Sequence, residues 1–224
     1  MTKKTLPLIS IALAATSTFG QIAITEYQNN PNDSNQYSEF IEIYNYSDSS
    51  VDLSGWTISD TAGLIHTYDN VLASGEYFIV ARVASSFNPA TNTFAKQWPT
   101  IGESPSVVSA NGSMILADGG ENITLTDGSG YNWSVANFAV TTPGVSLVLD
   151  SSFDFSTITA SGVSFANDSS YVSAVAGVDN AWTSTQGQTG SPLAGAYSPI
   201  PEPGTYALLA GCAALASLML RRRC

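Results

Sequence analysis

In "IEIY", residues 41–44, Ile41 and Ile43 alternate with Glu42 and Tyr44. Successive side chains of a strand point to opposite faces, so a period of two suits a half-buried strand and no helix. The period returns in "EYFIVAR" (76–82), where Tyr77, Ile79 and Ala81 alternate with Phe78, Val80 and Arg82. It returns again in "NITLTD" (122–127), where Ile123 and Leu125 alternate with Thr124 and Thr126. Further strands are expected at 22–27, 56–59, 114–117, 132–138, 146–149 and 171–175. Turn signals separate them: "NNPND", "DLSG", "SGE", "DGG", "DGSG" and "TPG". "TDGSGYNW" reads as a tight hairpin whose glycines supply positive φ. Many short strands, frequent turns and no helical period outside the two ends predict an all-β antiparallel sandwich. Ile41, Ile43, Leu53, Trp56, Ile79, Ile123 and Leu125 are expected to point inward. Residues 84–106 read as a long polar loop with a short helix, and 193–199 as a flexible linker. No internal repeat is visible.

The two ends depart from this pattern. Lys3 and Lys4 precede an apolar stretch, 6–15, of the length of a signal h-region. Thr18 and Gly20 then stand at −3 and −1, which predicts cleavage between Gly20 and Gln21. At the other end, 205–220 is a run of sixteen residues without a charge. As a helix it spans about 24 Å at 1.5 Å per residue, against a hydrocarbon core of ~30 Å. Tyr206 suits one interface, and Arg221, Arg222 and Arg223 hold the other end in the cytoplasm. Before this run, Pro201 and Pro203 flank Glu202. Each proline lacks an N–H and restricts its predecessor, so the stretch stays extended and accessible. The expected division is a signal peptide (1–20), a sandwich (21–192), a linker (193–200) and a tail with a transmembrane helix (201–224).

Charge narrows the partners. Lys and Arg number 7 against 18 Asp and Glu. Five of the seven lie at the ends, and the body holds only Arg82 and Lys96. Such a surface repels nucleic acid and anionic lipid, both of which require basic residues to neutralise phosphates. The two cysteines, Cys212 and Cys224, lie in the tail, so the body carries no disulfide and no thiol chemistry. "LAGC" (209–212) matches a lipobox, but that box belongs in an N-terminal signal.

No catalytic residue stands out. His66 is the only histidine, beside Ile65 and Tyr68, and reads as a strand residue. The chain contains no GxSxG, HExxH, CxxC or DxDxDG motif. Glu39 and Glu42 are three apart, which in a strand sends them to opposite faces. Glu26, Asp48, Asp52 and Asp60 lie near expected strand ends and read as solvated or turn-capping groups. Asp118, Glu121 and Asp127 offer at most a weak calcium site through oxygen ligands. The residues therefore read as a non-enzyme without a cofactor. The alternative is a secreted hydrolase working through two carboxyl groups about 5–10 Å apart.

Two resemblances add to this reading. Pro201-Glu202-Pro203, a short apolar helix and an arginine cluster resemble the PEP-CTERM sorting signal of Gram-negative bacteria. The resemblance implies recognition by an exosortase, a membrane-embedded cysteine transpeptidase or protease that cuts near the motif. It further implies a precursor tethered in the inner membrane with its body on the periplasmic side, and a final place at the cell surface or in the extracellular matrix. "IAITEY", "SEFIEIYNYSDSSVDLSGWTISD", "GEYFIVAR" and "GGENITLTDGSG", in that order, resemble the lamin-tail domain, an Ig-like sandwich. That match is strongest over 22–135. Together they imply a structural or adhesive surface protein that binds another protein or a polysaccharide.

Overall fold

The computed structural model describes residues 22–33, 36–84, 93–101, 104–136, 142–159, 161–166 and 170–199. In chain order the strands are β1 (Ile22–Gln28), β2 (Phe40–Asn45), β3 (Val51–Asp52), β4 (Thr57–Ser59) and β5 (Leu64–Thr67). There follow β6 (Val71–Leu72), β7 (Tyr77–Ala81), the short helix α1 (Phe94–Gln97), β8 (Val107–Ser109), β9 (Ile123–Thr126) and β10 (Asn132–Ala136). Last come β11 (Leu147–Leu149), β12 (Gly162–Ala166), β13 (Tyr171–Ser173), β14 (Trp182–Thr183) and β15 (Thr189–Gly190).

Two sheets form the sandwich. The larger has the order β13-β11-β1-β2-β7-β8, and the smaller β12-β10-β9-β4-β5. Pairing is antiparallel except at two edges: β8 runs parallel to β7, and β12 parallel to β10. The expectation of purely antiparallel sheets is corrected there. The β9–β10 hairpin forms over "TDGSGYNW" as the turn residues predict. Asp127 Oδ1 accepts the amides of Ser129, Gly130 and Tyr131, and Gly128 takes φ 72°. The stretch 114–117 forms no strand. Met114 and Leu116 still alternate inward with Ile115 exposed, but no ladder partner reaches that stretch.

Between the sheets lies one core, built from Ile24, Ile41, Ile43 and Val80 of the larger sheet and Ile58, Ile123, Leu125 and Trp133 of the smaller. Burial of each such side chain is worth about 1.5–3 kcal/mol. Trp133 donates its indole N–H to Tyr171 Oη at 3.0 Å, and Tyr171 donates to the Ile24 carbonyl at 2.7 Å. Leu53 and Trp56 join this core as expected.

A second core covers the outer face of the larger sheet. Phe40, Ile79 and Ala81 pack there under Phe94 and Trp98 of the α1 region, with Trp182 and Leu193 alongside. Ile79 therefore does not point between the sheets; Phe78 and Val80 do. The short helix arises within the polar loop as expected, its first turn capped by Thr93 Oγ1 accepting the Lys96 amide at 3.3 Å. Residues 193–199, expected to be a flexible linker, are a docked strap. Leu193 N–H donates to Glu42, Tyr77 Oη donates to the Gly195 carbonyl at 2.8 Å, and Tyr197 Oη donates to the Leu149 carbonyl.

Candidate functional site

The outer face of β1 and β2 carries a pair of acids. A bulge in β1 between Ile24 and Glu26 sets Thr25 and Glu26 against the single residue Glu42. Directly opposed residues of antiparallel strands share a face, so the two carboxyl groups meet there. Glu26 is 0% exposed and Glu42 1%. This corrects the reading of Glu26 as a solvated or turn-capping group. Glu26 Oε1 accepts from Ser146 Oγ at 2.5 Å, and Oε2 from Ser191 Oγ at 2.9 Å, while the Ser191 amide reaches both oxygens at 3.1 Å. Glu42 accepts from Thr25 Oγ1 at 2.8 Å and from the Leu193 amide at 2.6 Å. All these donors are neutral hydroxyls or amides. Gly190 passes so close that a Cβ there would strike the Glu26 carboxylate and come within 2.6 Å of Ser146 Oγ.

Burial without a cation favours the neutral acid. It pushes Glu26 up to about 7, against the pull of its Ser146 and Ser191 hydrogen bonds. Glu42 rises well above the ordinary carboxylate value through burial, and then through repulsion from Glu26. The pair thus retains protons at neutral pH. Both carboxyl groups are sealed from solvent, and their chemistry is that of a buried proton-holding pair that pins the strap through the Leu193 amide. Glu39, one residue ahead of β2, lies apart from the pair. It stands beside Arg82 Nη1 at 3.4 Å and accepts the Leu116 amide at 3.3 Å. Burial pushes it up to about 8, against the pull of Arg82.

Next to the acid pair lies an open groove of about 250 Å³. Val148 lines it, Ser191 just after β15 and Tyr197 of the strap stand along it, and Val172, Val175 and Val178 line it from β13 and the turn that follows. Asp150 and Asp179 also line it. Ser191 is shared: it borders the groove and holds Glu26 behind it.

The other residues singled out by the sequence serve the fold. His66 is buried in β5, where its Nδ1 accepts the Asn111 amide at 3.3 Å and its ring meets Tyr68 edge-on; burial lowers its pKa. Asp52 and Asp60 cap turns as expected, accepting the amides of Ser54 and of Ala62 and Gly63. Asp118, Glu121 and Asp127 do not converge: among the described residues no three acidic, His or Cys side chains form a group able to hold a metal. Glu121 accepts from the Ala117 amide and Thr61 Oγ1 instead. Among the described residues no helix is long and apolar enough to cross a membrane. Gly20, Gln21, Pro201, Glu202, Pro203, Arg221, Arg222, Arg223 and the helix expected over 205–220 lie outside the described residues.

Sequence reasoning missed the acid pair and the groove. The local signal for the pair was an acid embedded among apolar residues in two successive strands, "IAITEY" and "FIEIY". The groove had no such signal, because its residues come from separate segments between 148 and 197.

Two sheets packed over an aromatic and aliphatic core, with almost no helix, define an immunoglobulin-like β-sandwich. The chain belongs to the lamin tail domain family, whose model matches residues 15–142, more than half of its length. A search of curated proteins finds no match to the chain. The family match stops before β11, so every described residue lining the groove lies beyond it.

Proposed function

We propose that this is an exported, non-catalytic surface or matrix protein, sorted through its tail by an exosortase, whose sandwich has a structural or adhesive role. The observation that carries this reading is the order of parts in the tail: Pro201-Glu202-Pro203, sixteen residues without charge, then Arg221, Arg222 and Arg223. The N-terminal basic and apolar segment ahead of Gln21 supports the same export. The body is held in the periplasm until the tail is cut near the proline motif, and the partner is a protein or a polysaccharide at the cell surface. The hydrolase alternative draws no support from the facing pair Glu26 and Glu42, which is sealed from solvent and bound by neutral donors. A glycosidase requires its two acids to flank the bond they cleave.

The test is processing in a producer that has an exosortase. Wild-type protein is expected to be released without Arg221, Arg222 and Arg223 and to begin at Gln21. Glu202→Gln is expected to accumulate as cell-associated precursor, and replacement of the three arginines by glutamine to impair processing. Released protein that retains the arginines, or normal maturation of Glu202→Gln, overturns the sorting reading.

A further inference from the structure

We propose that the groove beside the strap is the docking site for an extended segment of a partner protein that presents an aliphatic side chain next to a lysine or arginine. This deepens the adhesive reading and rests on it for the role of the contact. Three features carry it.

The first is exposed apolar surface in one place. Val172, Val175 and Val178 are 40%, 58% and 51% exposed, and all three line the groove. The other large hydrophobic residues exposed among the described ones, Leu64, Val71 and Ile115, do not line it. A contiguous apolar patch on a soluble face marks a contact site more often than scattered residues do.

The second is charge. Asp150 and Asp179 border the valines, and among the described residues no Lys or Arg lines the groove. Asp150 stays ionised because the Ser152 amide and hydroxyl hold its carboxyl below the usual range. The field at the groove therefore comes from Asp150 and Asp179 and carries one sign. A basic side chain complements it, and an acidic one is repelled.

The third is the chemistry of the lining, which separates a peptide from a sugar. The volume of about 250 Å³ lies below the roughly 300–1,000 Å³ of cavities that enclose small ligands and suits one or two side chains. Three of its polar side chains are already engaged, Ser191 with Glu26, Tyr197 with the Leu149 carbonyl and Asp150 with Ser152, and Ser173 and Asp179 complete the polar lining. Few hydrogen-bonding side chains remain for the many hydroxyls of a polysaccharide.

The experiment measures binding of labelled hexapeptides to the full-length chain in mild detergent. One peptide alternates valine with lysine, a second valine with glutamate, and a third serine with lysine; a neutral oligosaccharide is the fourth probe. The valine–lysine peptide is expected to bind, and the other three at least about tenfold more weakly, a difference well outside measurement error. Val175→Lys combined with Val178→Lys is expected to abolish binding, and both sites are exposed enough to accept lysine. Asp179→Asn keeps a residue that tolerates its φ of 48° while removing the charge. It is expected to weaken binding roughly threefold and to flatten its salt dependence. Thermal melts confirm that each variant is folded, and Asp179→Asn decides the matter if the double variant is not. Equal binding of the serine–lysine peptide, tighter binding of the oligosaccharide, or valine–lysine binding that survives these substitutions overturns the proposal. Such a result leaves tail processing untouched, and failed processing leaves groove binding untouched, so the two failures are distinct.

Discussion

A methyl group on Gly190 has nowhere to go. It would strike the Glu26 carboxylate and crowd Ser146 Oγ, with the Trp98 ring 3.2 Å away on another side. Relief requires breaking a buried hydrogen bond or displacing an indole, so Gly190→Ala is expected to cost about 2–4 kcal/mol. Gly119→Ala is the control: its Cβ would meet nothing within 4 Å, and the expected change is within about 0.5 kcal/mol. Urea unfolding of both variants checks the contrast, and equal costs would contradict the close packing of Gly190 on the acid pair.

The element that depends most on this contact is the assembly of β1, β2 and the strap, and its stability is expected to have an inverted pH dependence. Glu26 rises from an ordinary 4.5 to about 7 on folding, Glu39 to about 8, and Glu42 also rises. Between about pH 5 and 8 the folded chain therefore holds protons that the unfolded chain has released. Stability then falls as pH rises through this window, by roughly 1.4 kcal/mol per pH step of one for each proton so held. The groups facing the pair, Tyr77 and Tyr197, are pushed upward and stay neutral throughout. Asp52, Asp150 and Asp154 are displaced the other way and act only at more acidic pH. Glu42→Gln is expected to flatten the profile and to raise stability at pH 8 relative to wild type, with Glu39 keeping its share of the slope. Unfolding midpoints at pH 5 and pH 8 test this, and parallel profiles for the two proteins would refute it. The same elements show what was legible in the sequence. β9 and β10 have one buried face and one open face, so Ile123 and Leu125 against Thr124 and Thr126 could be read directly. β1 and β2 are buried on both faces, and there the polar positions of the alternation mislead. Glu26 looked solvated because its cover, Ser191, comes 165 residues later, beyond any local pattern. The strap looked like a linker for the same reason: small residues give no sign that Leu193 and Tyr197 bond to distant strands.

At the scale of the whole molecule, the sandwich closes only with segments beyond the family match. β11 pairs with β1, β13 with β11, and Tyr171 caps the Ile24 carbonyl across 147 residues. A chain ending at residue 142 retains the matched region but loses these partners and uncovers Glu26 and Glu42. It is expected to show no cooperative thermal transition and to bind a hydrophobic dye, whereas the full-length chain melts in one step. A cooperative melt of the shorter chain would show that the later strands are decoration. The strap also fixes a length. Tyr197, bonded to the Leu149 carbonyl, is eight positions before Thr205, where the proposed membrane segment begins. Fully extended, that interval reaches under about 30 Å. On the proposed anchoring the sandwich is therefore tethered by a short leash, standing close to the bilayer with its C-terminal side turned toward it. On that proposal the cut near Pro201 would do more than release the protein: it would free a face that proximity to the lipid had kept out of reach of large partners.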